Sequence, residues 1–180
     1  MNILVEATTA AQNQTTSRYK FPTTVSLLML ISNWLSNCPV SVTFFLNQQQ
    51  NISYLISQVS STDTADKARI VQGLTAFLLG LCMLYNTDQV EQYTVEKLRD
   101  IIKKRVGIEQ FEAKLEFISQ HDLYTKTLKN PTFAFNCKET KDLLFDYEFT
   151  RLFKSNESIN ILLVKNLEKI NLIVLFCLKF

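Results

Sequence analysis

The sequence predicts an all-α protein whose helices stack as a solenoid. Only three glycines and three prolines occur in 180 residues, whereas sheets and tight turns need many of both. Apolar residues make up 47% of the chain and recur every three or four positions, the spacing of one face of an α-helix. The strongest apolar segments are centred near residues 31, 78 and 114, and a period of roughly forty residues is typical of stacked helical repeats. An irregular helical domain is the alternative.

The first third of the chain predicts three helices. A helical stripe consists of Val25, Leu28, Ile31 and Leu35. Trp34 belongs to the same apolar segment, and we expect it to be largely buried between the helices on either side of Pro39. Pro39 opens the second helix, over residues 40–46, because proline is tolerated in a first turn. Asn51 is the expected cap of the third helix.

The middle of the chain predicts its most deeply buried helix. Residues 60–66 are polar and predict a loop in which Thr64 or Asp66 caps the helix that follows. That helix, over residues 67–86, is apolar on most sides, which is typical of a helix packed between others. Gly73 and Gly80 lie nearly on one face, where a neighbouring helix can approach closely or where glycine is merely tolerated.

The second half of the chain predicts amphipathic helices. One helix ends at the basic run Lys103, Lys104 and Arg105, and Gly107 is the expected left-handed residue after it. A new stripe follows at once and consists of Ile108, Phe111, Leu115 and Ile118. A short helix is predicted over residues 123–128 and a loop over 129–142. Asp146 is the expected cap of a last helix that bears Phe149, Leu152 and Phe153.

The composition excludes most cofactor and metal chemistry. The three glycines cannot form a glycine-rich phosphate loop. His121 is the only histidine, so neither a two-histidine metal site nor a zinc finger is present. We expect no cofactor and no metal. The four cysteines are far apart in sequence and predict reduced thiols rather than a disulfide framework; they are Cys38, Cys82, Cys137 and Cys177.

The charge and hydropathy of the chain predict neither a membrane span nor nucleic-acid binding. Residues 21–62 and 70–85 contain no charged side chain, but polar residues interrupt the first segment and the second is too short to cross a bilayer. We therefore expect both to be core helices of a soluble protein. The N-terminus carries Glu6 and no long apolar run, so it does not predict a signal peptide. A net charge of +2 gives no indication of nucleic-acid binding.

Two clusters suggest a function from the residues alone. The basic run Lys103, Lys104 and Arg105 is a candidate contact for an acidic partner or acidic lipid. The alternative is a solvated helix end, with Asp100 placed to pair with Lys104. His121 is the one base available to a hydrolase, but we expect it to be a surface or capping residue. Adjacent Asp122 is better placed to cap the next helix than to orient the imidazole.

Four segments, in order and at similar spacing, resemble one known family. They are LLMLISNWLSNCPVSVTFFL at residues 27–46, VQGLTAFLLGLCMLYN at 71–86, EKLRDIIKKRVGIEQFEAKLEFISQHDLY at 96–124, and FDYEFTRLFK at 145–154. On these strings the chain resembles the globular head of the long coiled-coil Golgi tethers called general vesicular transport factors. The resemblance covers residues 25–154, about 130 of 180.

The resemblance implies a fold and a cellular role. Heads of this family are armadillo-type α-solenoids that precede a dimerising coiled coil, and no catalysis is attributed to them. The whole proteins tether vesicles in ER-to-Golgi and intra-Golgi transport as homodimers. They are cytoplasmic and peripheral on Golgi and vesicle membranes, and their partners are a Rab GTPase, golgins and membrane-fusion SNARE proteins. On this basis residues 1–154 form the C-terminal part of such a head.

Residues 155–180 depart from the family pattern. They read SNESINILLVKNLEKINLIVLFCLKF, and we expect a divergent apolar tail that forms a weakly specified helix rather than a membrane span. No heptad coiled coil follows the head. An alternative to a tether module is therefore a truncated helical scaffold that has no tethering activity of its own.

Overall fold

The computed structural model describes residues 20–129 and 144–165. In these residues the backbone forms α-helices, one 3-10 turn and no strand, which confirms the all-α class. The 3-10 turn is Glu91–Tyr93. The helices are α1 (Lys20–Leu35), α2 (Pro39–Leu46), α3 (Gln49–Val59), α4 (Asp66–Leu84), α5 (Val95–Arg105), α6 (Ile108–Gln120), α7 (Asp122–Lys129) and α8 (Tyr147–Lys165).

Helix α4 is the centre of the core. It packs against α1, α3, α6 and α8, and every residue from Gln72 to Met83 is buried. It is also long and apolar enough to cross a membrane, but 72% of its most apolar window is buried by the surrounding helices. The prediction of a deeply buried core helix in this part of the chain is therefore confirmed.

An aromatic cluster fills the space between α4, α7 and α8. Phe77 of α4 lies edge-on to Phe149 at 5.8 Å and beside Phe153 at 4.7 Å between ring centroids. Tyr124 of α7 meets Phe153 at 5.3 Å, and Phe145 stacks on Phe149 at 5.9 Å. All five rings are buried. Edge-to-face and offset pairs of this kind stabilise a core beyond the area that they bury.

Two glycines have the roles that the sequence suggests. A Cβ atom on Gly73 would lie 2.5 Å from Cγ1 of Ile118 and 2.6 Å from the carbonyl oxygen of Lys114, so α4 and α6 approach closely only because this position has no side chain. Gly107 has a φ of +87° between α5 and α6. Its ψ of 139° is extended, and its N–H donates to the carbonyl of Ile102.

Trp34 is not buried, so that prediction is wrong. The ring lies between α1 and α2 as expected, edge-on to Phe44 at 6.2 Å, but 41% of the residue is exposed. The reason is that α1 is apolar around most of its surface. Leu28 and Leu35 turn inward to α4 and are fully buried, which leaves Trp34 on the outer side.

Three predicted helix caps differ from the structure. Helix α3 begins at Gln49, and Asn51 is buried and donates from Nδ2 to the carbonyl of Phe45, at the end of α2. The residue before α4 is Ala65, not Thr64 or Asp66, and its N–H donates to Asp63. Asp122 is the first residue of α7 rather than its cap. Gln48 and Ala65 hold the cap positions of α3 and α4 without a side-chain capping hydrogen bond, whereas His121 accepts from the N–H of Leu123 at the start of α7.

Other local predictions are confirmed. Pro39 is the first residue of α2. Asp146 accepts from the N–H of Phe149 at 2.7 Å and so caps α8. The expected boundary at 154/155 falls inside α8. Several predictions concern residues that the structure does not describe. They are those for the loop at 130–142, for Cys137 and Cys177, for the N-terminal residues 1–19 and for the tail from residue 166.

Candidate protein interface

Four large apolar side chains form an exposed surface on α1 and α2. Leu30 is 65% exposed and Trp34 41% on α1, and Val40 is 79% exposed and Phe44 51% on α2. Each helix contributes a pair spaced four residues apart, so each pair lies on one helical face. We call these four residues the α1–α2 apolar face. Clustered exposed apolar side chains of this size are typical of a protein–protein contact.

The helices that carry the α1–α2 apolar face contribute almost no charge to it. Residues 21–62 contain no charged side chain, so no lysine or carboxylate from α1, α2 or α3 beyond Lys20 borders it. At the turn between the two helices, the hydroxyl of Ser41 donates to Sγ of Cys38 at 3.0 Å. This hydrogen bond lowers the pKa of the Cys38 thiol. An uncharged apolar surface favours an apolar partner over an ionic one.

Sequence reasoning missed this surface because it assigned the whole apolar segment to the core. The exposed pairs at 30/34 and 40/44 have the same helical spacing as buried pairs. The one available signal was the width of the apolar stripe on α1, which is greater than a single packed neighbour can cover.

The basic run lies at the C-terminal end of α5. Lys103, Lys104 and Arg105 are all exposed and occupy the last turn, where positive charge favours the helix dipole. Lys104 pairs with Asp100 at 3.9 Å, as the spacing predicted. Arg105 lines a pocket beside α6, whereas Lys103 and Lys104 do not. A contact of all three with an acidic partner or acidic lipid stays a prediction.

His121 has the surroundings of a capping residue. Its Nδ1 accepts from the N–H of Leu123 at 3.2 Å, and its Nε2 lies 3.5 Å from the carboxylate of Asp66. The ring packs edge-on against Phe117 and Phe145. Asp66 on α4, rather than the adjacent Asp122, therefore approaches the imidazole. Since His121 follows α6, its two nitrogens connect the end of that helix to Leu123 of α7 and to Asp66 of α4.

Two of the four cysteines lie in the described residues, and the reduced state of all four stays a prediction. Cys38 and Cys82 are free thiols. Cys82 lies within α4 and is fully buried, and burial raises the pKa of its thiol. Within residues 20–129 and 144–165, no group of three or more histidine, cysteine, aspartate or glutamate side chains could hold a metal ion.

Comparisons with known proteins place the chain in a family. A model of the family described as Uso1/p115 like vesicle tethering protein, head region, matches residues 2–161. The chain is 43% identical over 140 residues to General vesicular transport factor p115 of Mus musculus and 42% identical to that of Homo sapiens. Each alignment covers 78% of this chain and 14% of the relative.

A plant relative is more distant. The chain is 26% identical over 105 residues to Golgin candidate 6 of Arabidopsis thaliana, which covers 58% of this chain and 11% of the relative. The chain thus spans about a seventh of the length of the curated mammalian relatives that it matches. The family match includes every described helix up to residue 161. The chain belongs to the Uso1/p115-like family of vesicle tethering proteins and corresponds to part of their head region.

Proposed function

We propose that the chain is a non-catalytic protein-interaction module of a vesicle-tethering factor, which acts in vesicle docking during ER-to-Golgi and intra-Golgi transport. The observation that carries this proposal is the α1–α2 apolar face, since it offers large uncharged side chains to a partner. The family supports the same role, because its mammalian members are named vesicular transport factors. The resulting location is the cytoplasmic side of Golgi and vesicle membranes.

The α1–α2 apolar face fits the apolar side of a partner helix. It has two ridges of residues four apart, Leu30 with Trp34 and Val40 with Phe44. Ridges of this kind pack into the grooves of another helix. Trp34 and Phe44 are the residue types that carry most of the binding energy at interfaces. Candidate partners are proteins of the tethering and fusion machinery, namely a Rab GTPase, a golgin and a SNARE.

A binding measurement with defined partners tests the proposal. The purified chain is immobilised, and a GTP-loaded Rab GTPase, a golgin and a SNARE cytoplasmic domain are passed over it separately. We expect at least one to bind and the double variant Trp34→Ser, Phe44→Ser to weaken that binding at least about tenfold. Lys154→Ser, an exposed change on α8, is the control and should bind like the unmodified chain. Binding that is unaffected by the double variant would contradict this use of the face.

Two alternatives give different results. A helical scaffold without tethering activity would bind no partner in this measurement although it is folded by circular dichroism. A hydrolase would lose turnover in His121→Ala, whereas a binding module has no turnover to lose. The surroundings of His121 favour the module, since both imidazole nitrogens are occupied by contacts within the fold.

A further inference from the structure

A second surface feature is a basic pocket between the α3–α4 loop and helix α6. Its volume is about 370 Å³. Residues 60–64 of the loop form one wall. The other walls include basic residues from three different helices: Arg69 of α4, Arg105 at the end of α5, and Lys114 of α6.

Packing and neutral hydrogen bonds hold two of these cations in place. The guanidinium carbon of Arg69 lies 3.8 Å from the centroid of the Phe117 ring, a cation–π contact that fixes its plane. Nζ of Lys114 donates to the carbonyl of Ser61 at 3.2 Å and to Oε1 of Gln72 at 2.7 Å. Gln72 is itself oriented by donating from Nε2 to the carbonyl of the loop residue Asp63.

The charges in the pocket are unbalanced. Among the described residues that line it, Asp63 is the only carboxylate, against three cations, and one of its oxygens accepts from the N–H of Ala65. In the described part of the chain, none of the three cations lies within ion-pair distance of a carboxylate. Burial, and then the positive charge of Arg69, lower the pKa of Lys114. A bound anion would relieve this repulsion between like charges.

We propose that this pocket binds a phosphate monoester through Arg69, Arg105 and Lys114. A phosphate monoester carries close to two negative charges and three acceptor oxygens, which matches three cations that approach from three helices. An arginine guanidinium group donates to two phosphate oxygens at once, and a lysine ammonium group adds a positive charge. The pocket also has room for part of the group that carries the phosphate, with Val106 and Ala113 as apolar contacts. This site is independent of the α1–α2 apolar face.

The same observations favour a phosphate ester that enters the pocket over a bilayer surface. A flat anionic membrane attracts basic side chains that project together from one surface. Lys103 and Lys104 project from the same helix end as Arg105 but do not line the pocket, and Lys104 is paired with Asp100. Lys114, in contrast, is half-buried within the cavity, where a planar membrane cannot reach it.

Isothermal titration of the whole chain at constant ionic strength tests the proposal. The probes are inorganic phosphate, a phosphoserine peptide with its unphosphorylated form as the control, and vesicles that contain phosphatidylinositol 4-phosphate. We expect phosphate and the phosphoserine peptide to bind, the peptide more tightly, and the unphosphorylated peptide not to bind. Arg69→Gln and Arg105→Gln should each weaken binding at least about tenfold, since each removes a charge-assisted contact.

Arg151→Gln is the matched control, because it removes the same charge from an exposed arginine of α8 that pairs with Glu148. It should change the affinity less than twofold, and circular dichroism confirms that each variant is folded. A loss in Lys104→Gln as large as in Arg105→Gln would overturn the proposal, since it would indicate a diffuse basic field. Absence of phosphate binding would overturn it as well. So would vesicle binding that persists in Arg69→Gln, because that result indicates a membrane surface instead of the pocket.

Discussion

The aromatic cluster around Phe77 and the α1–α2 apolar face are equally apolar in sequence but differ completely in exposure. Phe77 is fully buried where α4, α7 and α8 meet, whereas Phe44 is 51% exposed on α2. The difference lies in the number of neighbouring elements. Helix α4 is contacted on several sides, whereas the outer surfaces of α1 and α2 are uncovered in the described structure. An apolar helix therefore predicts burial only where a neighbour exists to cover it.

The largest expected effect separates the two regions directly. Phe77→Ala removes a ring that packs against two others and should lower the free energy of unfolding by about 3–5 kcal/mol. Phe44→Ala deletes the same atoms from an exposed position and should cost less than about 1 kcal/mol. Urea unfolding followed by circular dichroism measures both. Equal costs would mean that Phe44 is covered in solution.

The close approach of α4 and α6 gives the next effect. In Gly73→Ala the new Cβ meets the Lys114 carbonyl and the Ile118 side chain at distances well below van der Waals contact, so the helices must separate. We expect a loss of about 1–3 kcal/mol in the free energy of unfolding. Ser26→Ala on the exposed side of α1 is the control and should leave that free energy within about 0.5 kcal/mol of the unmodified value. A Gly73→Ala protein of unchanged stability would contradict the packing described for α4.

A loss of stability that is limited to alkaline pH tests the buried aromatic cluster. Burial, and then the charge of Glu157, raise the pKa of Tyr124 to about 12, whereas an unfolded tyrosine titrates near 10. Between these values the unfolded chain loses the phenolic proton and the folded chain retains it, so stability falls as the pH rises from about 10 to about 12. Comparison with Tyr124→Phe isolates this contribution, which we expect to reach about 2 kcal/mol. If the two proteins lose stability in parallel over this range, Tyr124 is not the cause.

The smallest expected effect is a difference in the alkylation rates of two thiols, which does not involve a change in stability. Cys38 lies at the α1–α2 turn with its pKa lowered by Ser41, whereas Cys82 is fully buried in α4 and burial raises its pKa. Because the thiolate is the reactive form, iodoacetamide should modify Cys38 well before Cys82. Peptide mapping by mass spectrometry follows the two sites separately. Ser41→Ala should slow the reaction at Cys38, and similar rates at both thiols would indicate that α4 opens readily.

Local rules predicted much of the helical framework. Pro39 at the start of α2 and Asp146 as the cap of α8 act within one turn of their own helix. Their positions can therefore be predicted from the neighbouring residues in the sequence. The predicted caps of α3 and α4 were wrong, since Gln48 and Ala65 hold those positions and neither forms a side-chain capping hydrogen bond. Tertiary contacts override the local preference: the Asn51 side chain binds the end of α2 instead.

The candidate sites could be predicted only in part. The sequence identified Arg105 by its position in a basic run, but Arg69 and Lys114 belong to no basic run and lie on other helices. No spacing along the chain indicates that these three line one pocket. The partner of His121 was likewise unpredictable, since Asp66 is far from it in sequence and near it only because α4 packs against α6, which ends at His121.

The sequence by itself determined the all-α class and the central place of α4, because helical periodicity and a shortage of glycine and proline are properties of the chain alone. The tertiary structure decided which apolar surfaces are covered. Trp34 and Phe77 look alike in a hydrophobic pattern, but burial depends on the helices that pack against each one. It also decided which charges meet, since electrostatic interactions depend on distance in space rather than on separation in sequence.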